Sequence, residues 1–238
     1  MAYFGNLTEK YDKFVIFDTE TTGLDFRRDE IIEFSAVVLE TQNGEAVIRQ
    51  EYDTLVSLTP GNRVPPNIQQ LTGISTEDIL ARGISKEQVC RDIGEMFAGN
   101  TLLLAYNAHF DLSFLFYLLS RSGDLSALKG KDKLDLLTVY KDRRPYPHKL
   151  CNAIEAYNLS GQVVNSHRAI DDVLATVAVM EAMGREKDDL ARYLNLFGYN
   201  PKYGISGKPI GSVTYKPQPI GSVTYKPQPY NPTAPLYE

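Results

Sequence analysis

The run Phe14-Val15-Ile16-Phe17, followed at once by Asp18-Thr19-Glu20, narrows the possible folds more than any other stretch of the chain. Consecutive apolar residues ending in acids read as a buried strand that delivers two carboxylates to one place. Side chains at i and i+2 of an extended segment point the same way, so Asp18 and Glu20 project together while Thr19 points to the other side. Folding alone does not require that pair. Neighbouring carboxylates repel and lose hydration, which favours protonation or a bound cation, and hard divalent ions such as Mg2+ or Mn2+ take oxygen ligands. A metal site is therefore the leading expectation.

The segments around this strand suggest a layered α/β domain. Residues 30–39 and 46–58 read as two further strands joined by a turn at Gln42-Asn43-Gly44, because Asn-Gly between β-type runs signals a hairpin. Pro65-Pro66 opens a helical region, with a short helix from Thr76 and another after Ser85 that carries Val89, Ile93 and Phe97 at helical spacing. Residues 101–106 form a fourth strand. A helix is expected from near Asp111 to Gly123, with Leu112, Leu115, Phe116 and Leu119 on one face. Residues 134–140 read as a short strand running into a helix, and residues 150–157 and 169–183 as the last helices. Strands in succession, then alternating helices and strands, imply a mixed sheet.

With 238 residues, 43% of them hydrophobic, the chain can bury one large core and carry an appendage. The composition changes near Asn200, where Pro, Gly, Tyr, Lys and Gln take over, and the segment 209–218 recurs unchanged as 219–228. Two ten-residue copies are too few for a solenoid, and their prolines oppose a helix or a central strand. We divide the chain into a globular domain, 1–200, and an irregular C-terminal tail, 201–238, which is either an unpartnered arm or a docking segment. The tail carries four lysines and one acid, whereas the body has 21 basic against 29 acidic residues. So acidic a body grips duplexes poorly, because cation contacts to phosphate supply most nonspecific affinity. The lack of a long apolar run implies no membrane span and a cytoplasmic protein. Cys90 and Cys151, far apart and without metal spacing, read as reduced packed thiols.

Two later clusters supply what a metal site would still need. Asn107-Ala108-His109-Phe110-Asp111 stands between the fourth strand and its helix, and Ser166-His167-Arg168-Ala169-Ile170-Asp171-Asp172 stands where the last helix begins. Together with Asp18-Thr19-Glu20, these resemble the three motifs of the DEDDh (DnaQ-like) 3′–5′ exonuclease family, in the family's order and strand context, over roughly residues 13 to 185. Thr72-Gly73-Ile74 also resembles a recurrent family segment. The resemblance implies a ribonuclease H-like fold, a mixed five-stranded sheet with helices on both faces. It further implies a phosphodiesterase using two divalent cations, Mg2+ or Mn2+, that releases nucleoside 5′-monophosphates from 3′ ends. Carried over by match, Asp18, Glu20, Asp111 and Asp172 hold the metals and His167 is the general base. Thr21, Gly23, Leu24, Asn107 and Phe110 would meet the terminal nucleotide.

Elementary chemistry agrees with those roles. Two cations flanking a phosphodiester stabilise the attacking and leaving oxygens, and their charge offsets four acids. Imidazole, with a pKa of about 6.5, is largely neutral near pH 7 and can take a proton. His109 and His148 fit structural or solvated roles better. Asp171 is turned about 100° from Asp172 on a helix, so the two cannot face one metal equally. Glu33, in an otherwise apolar strand, is either a structural acid or a supporting one. Lys141, Arg143 and Arg144 beside Tyr140 and Tyr146 form either a phosphate-binding patch or a solvated loop. The expected substrate is single-stranded nucleic acid, DNA favoured, in proofreading or repair, with a DNA polymerase or other replication protein as partner. RNA trimming by the same fold is the alternative, and a non-catalytic adaptor is the third reading.

Overall fold

In the computed structural model, which describes residues 2–164, 166 and 168–197, five strands run as β1 (Lys13–Thr21), β2 (Ile31–Gln42), β3 (Glu45–Leu55), β4 (Thr101–Ala105) and β5 (Asp132–Asp135). They pair in the order β3-β2-β1-β4-β5. β1 is antiparallel to β2 and parallel to β4, which places the acid-tipped strand at the centre of a mixed sheet. The β2–β3 hairpin reverses at Asn43 and Gly44, both with positive φ (54° and 81°), the geometry that Asn-Gly tolerates best.

Among the described residues, eight α-helices surround the sheet: α1 (Leu7–Lys10), α2 (Pro66–Thr72), α3 (Thr76–Arg82), α4 (Lys86–Phe97), α5 (Ala108–Ser122), α6 (Leu136–Arg143), α7 (Leu150–Ala156) and α8 (Ala169–Glu186). Ser75 and Asp78 close a capping box at the start of α3, and the Ser85 hydroxyl caps α4. The alternation of β1 divides the interior. Val15 and Phe17 pack with α4 and α5, while Phe14 and Ile16 pack with α6, α7 and α8. Helices on both faces match the expected fold class.

Two local readings need correction. α5 begins at Ala108, earlier than the expected start near Asp111, because Asn107 takes a left-handed conformation (φ 70°) that turns the chain straight from β4 into the helix. Residues 134–140 are, as expected, a short strand running into a helix, the end of β5 and the start of α6 with Asp135 as the N-cap between them. Arg143 does not belong to a phosphate-binding patch. Its side chain is 5% exposed, donates to the Met183 carbonyl at 2.6 Å and pairs with Asp189 at 2.5 Å. Arg144 pairs with Glu186 and covers the Tyr157 ring, while Lys141 and Tyr140 are buried. Among the described residues no helix is long and apolar enough to cross a membrane. The duplicated segment lies outside the described residues.

Candidate active site

Asp18 and Glu20 leave β1 on the side that faces α8, the side shared by Phe14 and Ile16. Asp172, in the first turn of α8, meets them: carboxylate oxygens of Asp18, Glu20 and Asp172 all lie within 4.8 Å of one another. Asp171, the neighbouring acid, instead accepts from the Ser166 hydroxyl at 2.5 Å.

Asp111, delivered by α5 from the opposite layer, is not among the acids that meet within 4.8 Å. Its Oδ1 accepts from the Thr19 backbone N–H at 3.0 Å and from the Thr19 hydroxyl at 2.7 Å. The residue between the two β1 acids thus points away from them, as the alternation of a strand requires, and fastens the acid delivered by α5. Asp111 is 2% exposed and acts electrostatically on Asp18.

Crowding shows in the protonation equilibria. Burial, then the negative charges of Asp111, Glu20, Asp172 and Glu33, hold the Asp18 carboxyl well above the usual carboxylate range. Burial and the charges of Asp172, Glu33 and Asp111 push Glu20 up to about 8, against the pull of the Arg168 guanidinium. Burial raises Asp111 to about 7 despite its bonds from Thr19. Oxygen-only donors from two elements, close together and costly to ionise without a counter-charge, fit a hard divalent cation.

The expected nucleotide contacts occupy varied settings. The Thr21 hydroxyl is spent inside its own loop, donating to the Gly23 carbonyl at 2.6 Å. Gly23 is required by close approach rather than by its φ: a Cβ there would lie 2.4 Å from Asp29 Oδ2. Leu24 is 61% exposed, an apolar side chain held in solvent four residues beyond Glu20. Phe110 is half-buried, its ring 4.9 Å from that of Phe114. His167 lies outside the described residues. His109 is buried edge-on to Phe197, and burial lowers its imidazole to about 4, which suits a neutral core histidine. His148 Nε2 is 2.9 Å from the Arg144 carbonyl.

Two supporting groups were not assigned from the sequence. Asp135, 1% exposed, accepts through Oδ1 from the backbone N–H groups of Asn107, Ala108 and Leu137, and through Oδ2 from the Thr138 hydroxyl. It caps α6 and pins the start of α5 together. An acid directly before a helical run was the available signal. Glu33, left open between two roles, is fully buried and bonded to Arg168 and Ala169 at the start of α8.

Known proteins are similar to this chain over most of its described residues. A family model described as "Exonuclease" matches residues 15–180. The PolC-type DNA polymerase III of Clostridium perfringens is 32% identical over 170 residues, which span 71% of this chain and 11% of that protein. The DNA polymerase III subunit epsilon of Treponema pallidum is 30% identical over 174 residues, spanning 71% of this chain and 75% of that one. This chain therefore spans about a tenth of the PolC-type relatives and most of the epsilon subunit. In fold it is similar to E. coli exonuclease I, solved with a dA16 oligonucleotide, at TM-score 0.66 and 19% identity, covering 76% of this chain and 42% of that one.

Proposed function

Because the chain belongs to the exonuclease family whose model spans residues 15–180, we propose that it releases nucleoside 5′-monophosphates from the 3′ ends of single-stranded DNA, in proofreading or repair. The observation that carries this reading is the meeting of Asp18, Glu20 and Asp172 within 4.8 Å at the tip of the central strand. The family is metal-dependent. We assign two divalent cations, Mg2+ or Mn2+, to this site, held by Asp18, Glu20, Asp111 and Asp172. Bound there, they supply charge compensation and Lewis-acid polarisation of the phosphoryl oxygens.

The remaining steps fall to side chains. His167, next to the start of α8 in sequence, takes a proton from the water that attacks phosphorus, and the 3′ oxygen of the penultimate nucleotide leaves. Leu24, exposed beside the acids in sequence, and Phe110 bracket the terminal nucleotide; Thr21, Gly23 and Asn107 shape the backbone around it. DNA is favoured because the relatives are named DNA polymerase III and the similar exonuclease I was solved with single-stranded DNA. The body, residues 1–200, is assigned the catalysis, and the tail, residues 201–238, docking to a polymerase or another replication protein.

The test uses matched DNA and RNA oligonucleotides labelled at either end. Mononucleotide release from the 3′ label and a shortening ladder from the 5′ label are expected, dependent on Mg2+ or Mn2+ and absent in Asp18→Ala and His167→Ala. Release that persists in Asp18→Ala, or none on either polymer under varied metals, overturns the reading. Faster cleavage of RNA than of DNA would move the assignment to RNA trimming.

A further inference from the structure

Glu33 is a further acid in this neighbourhood, and its environment differs from that of the others. It sits opposite Glu20 in the β1–β2 ladder, which places both side chains on the α8 side of the sheet. Its side chain is 0% exposed. A carboxylate so placed persists when matched by donors of suitable geometry. Arg168 Nε and Nη2 donate to Glu33 Oε1 at 2.9 and 2.5 Å, and the Ala169 N–H donates to Oε2 at 2.9 Å. Arg168 is the N-cap residue of α8 and Ala169 its first helical residue. One buried carboxylate on a strand next to β1 therefore grips the end of the helix through two consecutive residues.

That grip is not needed to keep α8 folded onto the sheet. The helix is 18 residues long, and Val173, Val177, Val179, Met180 and Met183 bury its apolar side. Asp172 projects from the first turn of α8. The Arg168 side chain provides no capping bond of its own, so the Glu33 carboxylate does what a cap normally does, at the positive end of the helix dipole. We infer that the Glu33–Arg168 ion pair is a positioning clamp that fixes the rotation of the first turn of α8, and with it the reach of Asp172 toward Asp18 and Glu20. The fork of a guanidinium is essential to this role, because an ammonium keeps the charge but cannot hold the two-pronged geometry. Only the catalytic part of this inference rests on the exonuclease reading; the effect on cation binding rests on the geometry alone.

Arg168→Lys in the full chain is the test, because its charge is retained and the side chain is 41% exposed, so folding is preserved. Mn2+ binding is measured by calorimetry without nucleic acid, alongside thermal melting and steady-state hydrolysis of a 3′-labelled oligonucleotide. We expect Mn2+ affinity and kcat each to fall by about 10-fold or more, with KM changed by less than about 2-fold and the melting temperature nearly unchanged. Glu33→Gln is the second variant and should give the same pattern. Wild-type Mn2+ affinity and kcat in both variants, with only the melting temperature lowered, would reduce the pair to a structural contact and overturn the inference. A wild-type chain that binds Mn2+ yet cleaves no nucleic acid sinks the exonuclease reading, while the Mn2+ comparison still decides the clamp. A wild-type chain that binds no Mn2+ overturns both.

Discussion

The Asp18 carboxyl lies beside Glu20 and Asp172 at the end of an apolar strand and feels the charge of Asp111, so ionising it without a cation costs free energy in the folded chain. Asp18→Asn removes one of those charges. Its metal-free melting temperature at pH 8 should therefore rise by several degrees, while hydrolysis falls by about 10³-fold or more. A melting temperature unchanged or lowered by the substitution would mean that the acids do not strain one another. The pH dependence follows with a definite sign. Glu20 has its folded value raised from 4.5 to about 8, so the folded chain holds more protons than the unfolded chain between those limits. That contribution is complete below the unfolded value and is lost as pH rises toward the folded one. Urea denaturation of the metal-free chain should show stability falling by a few kcal/mol from about pH 5 to about pH 8, and Mn2+ should flatten the slope. Stability that rises across this window would contradict the crowding.

Elements are joined at the site by single carboxylates, and their loss should be felt in more than one element. Asp135→Ala strands the N–H groups of Asn107, Ala108 and Leu137, uncapping α6 and loosening the start of α5 in one step. Equilibrium denaturation should report a loss of about 2–4 kcal/mol, well above that of a surface cap. Glu30 does similar work for the loop between β1 and β2. Burial alone would raise its carboxyl, yet the bonds from Lys86, Asn62 and Thr59 bring it down to about 2. Its contribution is present above the unfolded value of 4.5 and is lost as pH falls toward about 2, so Glu30→Gln should cost about 1–3 kcal/mol at pH 7 and nothing below pH 2. Much of this architecture was legible in the residues themselves. β1 and its acids, the Asn43-Gly44 hairpin and the helix carrying Asp172 follow from local alternation, turn chemistry and helical spacing. The hidden parts depend on distant partners: local pattern does not reveal that Arg143 would be buried by the end of α8, or that Glu33 would find Arg168 135 residues away.

The molecule closes its α4–α5 layer with a residue beyond the family match: Phe197, 2% exposed, fills that core and meets His109 edge-on. Phe197→Ala should cost about 3–5 kcal/mol by denaturation, whereas deletion of residues 201–238 should leave both melting temperature and hydrolysis of short oligonucleotides unchanged. A large loss of activity on that deletion would show the tail to be part of the catalytic unit. The division of β1 between two layers has one more consequence. Phe14 and Ile16 on one side and Val15 and Phe17 on the other are all apolar, so the hydrophobic interior alone scarcely distinguishes this strand from the same strand shifted by one place. Only the acids and Thr19 tell the two alignments apart. An in-frame insertion of a single codon just upstream of Asp18 is thus the kind of genetic lesion that could leave abundant, well-expressed protein with its chemistry turned to the wrong side of the sheet.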